Sequence, residues 1–277
     1  MDFEKEITNE LIELALKEDR IKNDVTTNAL IEYDRTVLAK VSAKEDGVIS
    51  GIDVFIKVLY KVDKSLNVIV SKEDGDSVNV GDIVLEIRGY ESSILKAERT
   101  ALNFLQRLSG VASVTRRYVE ALKGTSVKLL DTRKTTPGMR YPEKKAVLDG
   151  GGNNHRMNLE DMVMIKDNHI LMAGSIGKAV EKIRKFSPDK RIEVEVKNIK
   201  EFEEAVSLDV DIIMLDNFDE LTLQKVLMIN RNDIKIEISG NITLDNISTR
   251  AKHGVDFISV GALTHSYKSL DLSLNVL

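Results

Sequence analysis

DTRKTTPGMRYPEKKAVLDGGGNNHRMNLEDMVMIKDNHI, residues 131–170, is bounded at each end by a strand exit. VKLLDTRK (127–134) and MVMIKDNH (162–169) are apolar runs that stop abruptly in polar residues. Between and within them stand Arg133, Lys134, Arg140, Lys144, Lys145, His155, Arg156, Lys166 and His169, with a triple glycine at 150–152. Cations gathered at the carboxyl ends of strands make a pocket for a small anion.

Downstream, apolar runs recur at 191–196, 210–215, 234–239 and 255–260. Helical patterns at 174–186, 199–207, 218–230 and 243–252 separate several of them. Repeated β-α units of this length predict a parallel sheet, closed or nearly closed into a barrel. The pattern supports six strands rather than eight, so the expected barrel is incomplete.

Upstream the period changes. Ile94, Ala97, Ala101, Phe104, Leu105 and Leu108 form one helical stripe; Ser109-Gly110 interrupts it, and helical spacing resumes over 111–122. Arg99 falls opposite that stripe, as a solvated side chain or one that reaches a second subunit. Residues 36–90 are rich in valine and isoleucine and punctuated by Asp-Gly and Val-Gly-Asp turns. They predict a small sheet with hairpins and one helix, 51–61, laid on it. Phe3, Ile7, Leu11, Leu14 and Ala15 predict an amphipathic helix over 3–18. The domain boundary is expected near Ser109-Gly110, giving an N-terminal domain over 1–109 and a barrel domain over 110–277.

Composition narrows the function. The net charge of −5 makes the basic segment a local feature of an acidic protein, which favours a small anionic ligand and no nucleic acid. The chain has no cysteine, so disulfides, thiolate catalysis and Cys-rich zinc sites are excluded. MDFEKEITNE reads as neither signal peptide nor spanning helix, and the longest apolar runs are strand-sized, so a soluble cytoplasmic protein with no membrane partner is expected.

The strand ends carry the chemistry. In RIEVEV (191–196), Ile192, Val194 and Val196 point one way and Glu193 and Glu195 the other, into the lumen if the apolar side meets helices. Buried carboxylates must be paired, hydrogen-bonded or metal-linked. Asp216 ends the next strand, and with Glu195 it would suit Mg²⁺, especially an ion carried on a pyrophosphate. Ser239-Gly240-Asn241 and Gly261-Ala262 follow late strands, where barrel enzymes hold phosphate. His155 follows the glycine run and either braces its loop or meets a ligand. His169 braces or binds, His253 lies in a surface helical segment, and His265 falls near the phosphate turn. Lys166 at a strand end would also allow Schiff-base chemistry.

These motifs, in this order, resemble the quinolinate phosphoribosyltransferase family over nearly the whole chain. The resemblance runs from AL-ED-xxxx-DVTT (15–27) through ERTALNFLQRLSGVAS (98–113), DTRKTTPGMR, EKKAV, GGGNNHR, IKDNHI, EVEV, MLDN, SGNI and VGALTHS to Leu270-Asp271. Asn23, Val111 and Lys145 depart from the residues usual there: glycine, isoleucine and tyrosine. The resemblance implies an N-terminal α/β sandwich to which the last few residues return, an incomplete α/β barrel, and a homodimer in which Arg99 completes the partner's site. It implies transfer of phosphoribosyl from phosphoribosyl pyrophosphate to quinolinate with decarboxylation, giving nicotinate mononucleotide, pyrophosphate and CO2, with Mg²⁺. Arg133, His155, Arg156 and Lys166 would bind quinolinate and Lys134 the donor. Glu195 and Asp216 would hold the ribose hydroxyls and the metal, directly or through the donor. Ser239, Gly240, Asn241, Gly261 and Ala262 would cradle the 5′-phosphate. A same-fold paralogue for another pyridine or a molybdenum-related substrate, a Schiff-base barrel lyase using Lys166, and a non-catalytic anion-binding protein are the competing readings. A monocarboxylate enzyme needs fewer arginines around the ring, so Arg99 and Arg156 together favour quinolinate.

Overall fold

The computed structural model of the chain describes residues 2–229, 233–252 and 254–277, and it divides into two compact units. The first comprises the chain up to Arg116, then Lys134–Gly152 and Ala262–Leu277. The second comprises Arg117–Arg133 and Asn153–Gly261.

The first unit is built on an antiparallel sheet. β1 (Thr36–Ala43) alternates buried and partly exposed residues, as a sheet with one covered face requires. It pairs with β5 (Ile83–Tyr90), which pairs with β3 (Asn67–Val70). On the other edge β1 takes β12 (Leu272–Val276), so the end of the chain returns to the N-terminal sheet, with Ala39 opposite Val276. A two-residue ribbon joins β2 (Gly47–Val48) to β4 (Ser77–Val78). Helix α3 (Ile52–Val62) buries Val54, Phe55, Val58 and Leu59 at helical spacing. Helix α1 (Asp2–Glu18) buries Thr8, Ile12 and Leu16, while Phe3 and Leu14 are exposed, so its covered face lies one residue on from the expected stripe. A short helix α2 (Val25–Leu30) is capped by Asp24, whose carboxylate accepts the Thr27 N–H at 3.0 Å.

Helix α4 (Glu91–Ala121) runs without interruption where a break at Ser109-Gly110 was expected. Gly110 is there for close approach. A Cβ on it would lie 2.3 Å from the Lys268 carbonyl oxygen, so only glycine lets the C-terminal segment cross the helix at that point. Ser109 and Ser113 serve the same packing, their hydroxyls accepting the N–H groups of Ser50 (3.0 Å) and Val48 (2.8 Å). Helix α5 (Arg140–Asp149) buries Glu143 and Lys144 completely. Lys145 pairs with Asp74 (2.5 Å) and Asp149 (3.0 Å). Burial opposes its charge, but the two carboxylates outweigh that and raise its pKa.

The second unit is a six-stranded parallel sheet. Its strands are β6 (Lys128–Leu130), β7 (Val163–Ile165), β8 (Ile192–Val196), β9 (Ile212–Asp216), β10 (Lys235–Ser239) and β11 (Phe257–Ser259). The order is β6-β11-β10-β9-β8-β7, so each β-α unit from β7 to β11 adds the next neighbour. Among the described residues β7 does not pair with β6; Asn153 bridges to Leu130 at that edge instead. The result is the incomplete barrel that six apolar runs predict. Helices α6 (Asp167–Ala173), α7 (Ile176–Phe186), α8 (Ile199–Ser207), α9 (Glu220–Leu227) and α10 (Ile247–Ala251) connect its later strands, and helix α11 (Ala262–His265) follows in the first unit. The side chains of Ser175, Asn198 and Asp219 accept the N–H groups that open α7, α8 and α9.

Candidate active site

Parallel strands all deliver their carboxyl ends to one edge of the sheet, so the residues that follow each strand in the second unit come together there. Arg133 follows β6, Lys166 follows β7, Glu195 lies near the end of β8, and Asp216 and Ser239 end β9 and β10.

Two guanidiniums set the charge of the site. Burial lowers the Arg156 pKa first, and the nearby Arg133 guanidinium lowers it further. Arg156 is tethered by Nη1, which donates to the Met162 carbonyl at 3.1 Å. Arg133 Nε is buried and has no hydrogen-bond partner among the described residues. Like charges held together with an unused buried donor leave recognition capacity for an anion.

The carboxylates of β8 both enter the barrel, as their parity predicts. Glu195 is nearly buried and forms an ion pair with Lys166. Glu193 is fully buried and lies 2.9 Å, through Oε2, from His155 Nε2. A third carboxylate, Glu237 on β10, is also fully buried, with Oε2 3.5 Å from the same nitrogen. Burial, then the neighbouring Glu237 charge, raises the Glu193 pKa. For His155, burial acts to lower the pKa, and the two glutamates overcome it and raise it. His155, Glu193 and Glu237 place one potential ligand atom each within 4.8 Å of one another, which makes them the metal-type cluster among the described residues.

The loop that carries His155 is pinned by Asp131. This buried aspartate accepts the His155 N–H at 2.8 Å and the Asn154 side-chain amide at 2.9 Å. Asp131 and Glu237 are both missing from the residues that the sequence nominates. Glu237 had a usable signal: in IKIEIS (234–239) the isoleucines alternate with Lys235, Glu237 and Ser239, the same parity that turns Glu193 and Glu195 into the barrel.

At the far strands, Asn217 and Asn241 take positive φ angles of 56° and 51°, and Gly240 takes 92°. The Asn241 amide donates to Asn217 Oδ1 at 2.9 Å, and Asn217 donates to Asp216 Oδ1 at 3.1 Å. The turn after β10 is therefore hydrogen-bonded to the end of β9. Gly261 follows β11, which neighbours β10, so Ser239-Gly240-Asn241 and Gly261 leave adjacent strands. His169 braces its loop, accepting the Lys166 N–H at Nδ1 (3.0 Å). His253 lies outside the described residues.

Three nominated residues belong to the first unit. Lys134 is exposed, and its carbonyl accepts from Thr264 Oγ1 at 3.0 Å. Ala262 opens α11, and His265 Nδ1 there lies 2.7 Å from Ser266 Oγ. Arg99 is exposed on α4 and lines a cleft of about 620 Å³ with Asn103, Gln106, Arg107 and Thr136.

An open α/β barrel with cations and carboxylates at the ends of its strands defines an enzyme class that handles small anionic substrates. The chain belongs to the quinolinate phosphoribosyl transferase family: residues 24–109 match the model of its N-terminal domain and residues 111–275 that of its C-terminal domain. A probable nicotinate-nucleotide pyrophosphorylase [carboxylating] of Bacillus subtilis is 40% identical over 260 residues, covering 94% of this chain and 90% of the relative. The nicotinate-nucleotide pyrophosphorylase [carboxylating] of Mycobacterium leprae is 38% identical and covers 99% of each chain. The crystal structure of NadC from Streptococcus pyogenes superposes with a TM-score of 0.92 at 44% identity, covering 97% of this chain and 96% of that one.

Proposed function

We propose that this chain transfers phosphoribosyl from phosphoribosyl pyrophosphate to quinolinate with decarboxylation, yielding nicotinate mononucleotide, pyrophosphate and CO2 for de novo NAD synthesis. The observation that carries the reading is Arg133 with Arg156, two guanidiniums near enough for one to lower the other's pKa, together with the buried Arg133 Nε that has no partner among the described residues. Quinolinate offers two adjacent carboxylates, and planar guanidinium forks match carboxylates bidentately. The full-length likeness to nicotinate-nucleotide pyrophosphorylases supports the same reading.

The residues divide by charge. Arg133, Arg156 and Lys166 face the dicarboxylate, His155 serves the same ligand through the Arg156 N–H that its Nδ1 accepts, and Lys134 meets the donor's pyrophosphate. Ser239, Gly240, Asn241, Gly261 and Ala262 take the 5′-phosphate. As pyrophosphate leaves C1 of the ribose, positive charge builds on the sugar ring, and the Glu195 and Asp216 carboxylates stabilise it. The pyridine nitrogen then bonds to C1. Its new positive charge accepts the electron pair released at C2 when CO2 departs, and a proton replaces the carboxylate there. The hard oxygen donors of Glu195 and Asp216, at the ends of neighbouring strands, fit Mg²⁺. When bound, Mg²⁺ would offset the negative charge of the pyrophosphate group.

Lys166 works as an electrostatic ligand. Its ammonium is engaged by Glu195, whereas a Schiff base needs an amine lone pair. No helix among the described residues is long and apolar enough to cross a membrane, and the reading places the enzyme in the cytoplasm as a homodimer. Arg99, exposed on α4, completes the partner's quinolinate pocket.

Pyrophosphate release tests the assignment. Quinolinate with phosphoribosyl pyrophosphate should release pyrophosphate and CO2 in equal amounts, and nicotinate in its place should give little. Turnover with nicotinate alone would select the paralogue reading.

A further inference from the structure

His155 is held from three sides, and both of its ring nitrogens are engaged inside the protein. Its N–H donates to Asp131, its Nδ1 accepts the Arg156 N–H at 2.8 Å, and its Nε2 faces Glu193 and Glu237. We propose that Glu193 and Glu237 are positioning residues for substrate recognition: through the Nε2–H tautomer of His155 they fix the backbone of Arg156 and aim its guanidinium beside Arg133. The inference rests on the quinolinate reading of that arginine pair.

The tautomer follows from the geometry. A nitrogen that accepts an N–H must present its lone pair, so Nδ1 carries no proton. With Nδ1 taken up as an acceptor, the proton that Glu193 and Glu237 favour on the ring sits on Nε2, where it points at Glu193 Oε2, 2.9 Å away. A carboxylate oxygen that accepts from Nε2 admits this tautomer and no other, whereas an amide could rotate and admit either. That is a reason to keep two fully buried carboxylates where burial is costly. The same three side chains form a ligand set for a cation. A cation, however, would need the Nε2 lone pair and would move the proton to Nδ1, setting it against the Arg156 N–H. The hydrogen-bonded arrangement avoids that clash of donors.

Arg156 needs the brace because Arg133 repels it. Among the described residues, its guanidinium is tethered at the Met162 carbonyl. A second tether at the backbone keeps the side chain from turning away while the pocket waits for its anion. Glu193 and Glu237 thus act on recognition from the floor of the barrel, through β8 and β10, without touching the substrate.

Nitrogen NMR on the full-length protein labelled with ¹⁵N-histidine reads the tautomer, with His155→Gln identifying the signal. The expected result is a protonated Nε2 and an unprotonated Nδ1. A protonated Nδ1, or a His155 signal moved by added Zn²⁺, overturns the proposal. Kinetics read the positioning. Glu193→Leu should raise KM for quinolinate by roughly 10- to 100-fold, as expected when a binding group is misplaced by about 1 Å. KM for phosphoribosyl pyrophosphate should stay within about twofold, since that ligand does not depend on Arg156. Glu193→Gln, whose side-chain oxygen can still accept from Nε2, should recover most of the loss. An unchanged KM for quinolinate, or a parallel rise for both substrates, overturns the proposal. If Glu193→Leu does not fold, the tautomer in the unmodified protein still decides. A wild-type chain with no turnover of quinolinate would instead sink the functional reading and leave the tautomer result standing.

Discussion

Arg107 and Arg133 carry the same side chain in two different states. Arg107, in the first unit, is matched by a carboxylate, a hydroxyl and a ring. Its Nε donates to Glu143 Oε1 at 3.1 Å, its Nη2 reaches Glu143 and Thr136, and its guanidinium stacks 4.8 Å from the centre of the Tyr267 ring. Glu143 in turn accepts the Thr136 N–H at 3.0 Å, so the pair fastens the 135–138 loop to α4 and α5. Arg133, in the second unit, has a buried Nε with no partner among the described residues, and Arg156 as its charged neighbour. A matched guanidinium belongs to the fold. One held against a second cation with a donor unused belongs to a ligand. Charge and residue type do not draw that distinction; only the partners do.

Breaking the unmatched pair should have the largest effect, and on activity alone. Arg156→Ala removes a charge-assisted contact to substrate, with an expected loss of about 4 kcal/mol, or roughly 1,000-fold in kcat/KM for quinolinate. The melting temperature should hold or rise, because the substitution also relieves repulsion of Arg133. Near-normal turnover, or unfolding, would reverse the assignment of this pair. Mixing Arg156→Ala chains with Arg99→Ala chains sharpens the test. If Arg99 serves the partner's pocket, random reassortment leaves about one site in four intact. Heterodimers that form without recovering activity would return Arg99 to the surface.

Breaking the matched pair should act on stability. Glu143→Ala leaves Arg107 without its carboxylate and the Thr136 N–H without its acceptor. The expected loss is about 2–4 kcal/mol by urea unfolding, moderated because Arg107 keeps some contact with water. A loss of turnover at full stability would show that the Glu143–Arg107 pair is instead part of the site.

The sequence made much of this visible because strand parity and charge are local properties. The six parallel strands, the helix over 199–207 and the two inward carboxylates of RIEVEV are all legible from period alone. What escaped depends on distant partners. Ser109-Gly110 reads as a break, because nothing nearby shows that the segment at Lys268 will cross α4 there. Thr8 is polar by type, yet it is buried and shifts the covered face of α1. Asp131 looks like an ordinary strand end, and its use in holding His155 depends on a loop more than twenty residues on. Arg133 and Arg156 read like any other basic residue of 131–170 until their partners are known.

The smallest expected effect tests the phosphate end of the comparison. Gly240 sits at φ 92°, and a Cβ there would fall 2.2 Å from Asn217 Oδ1, the atom that accepts from the Asn241 amide. Gly240→Ala therefore has two costs, a strained backbone angle and a displaced asparagine, together about 1–3 kcal/mol of local strain. The displacement reaches Asp216 through Asn217, so donor binding should weaken before the fold does. KM for phosphoribosyl pyrophosphate should rise about tenfold, the equivalent of 1.4 kcal/mol, while KM for quinolinate changes little. If KM for quinolinate rises instead, the division of the site into a dicarboxylate half at Arg133 and Arg156 and a phosphate half at Ser239-Gly240-Asn241 is wrong.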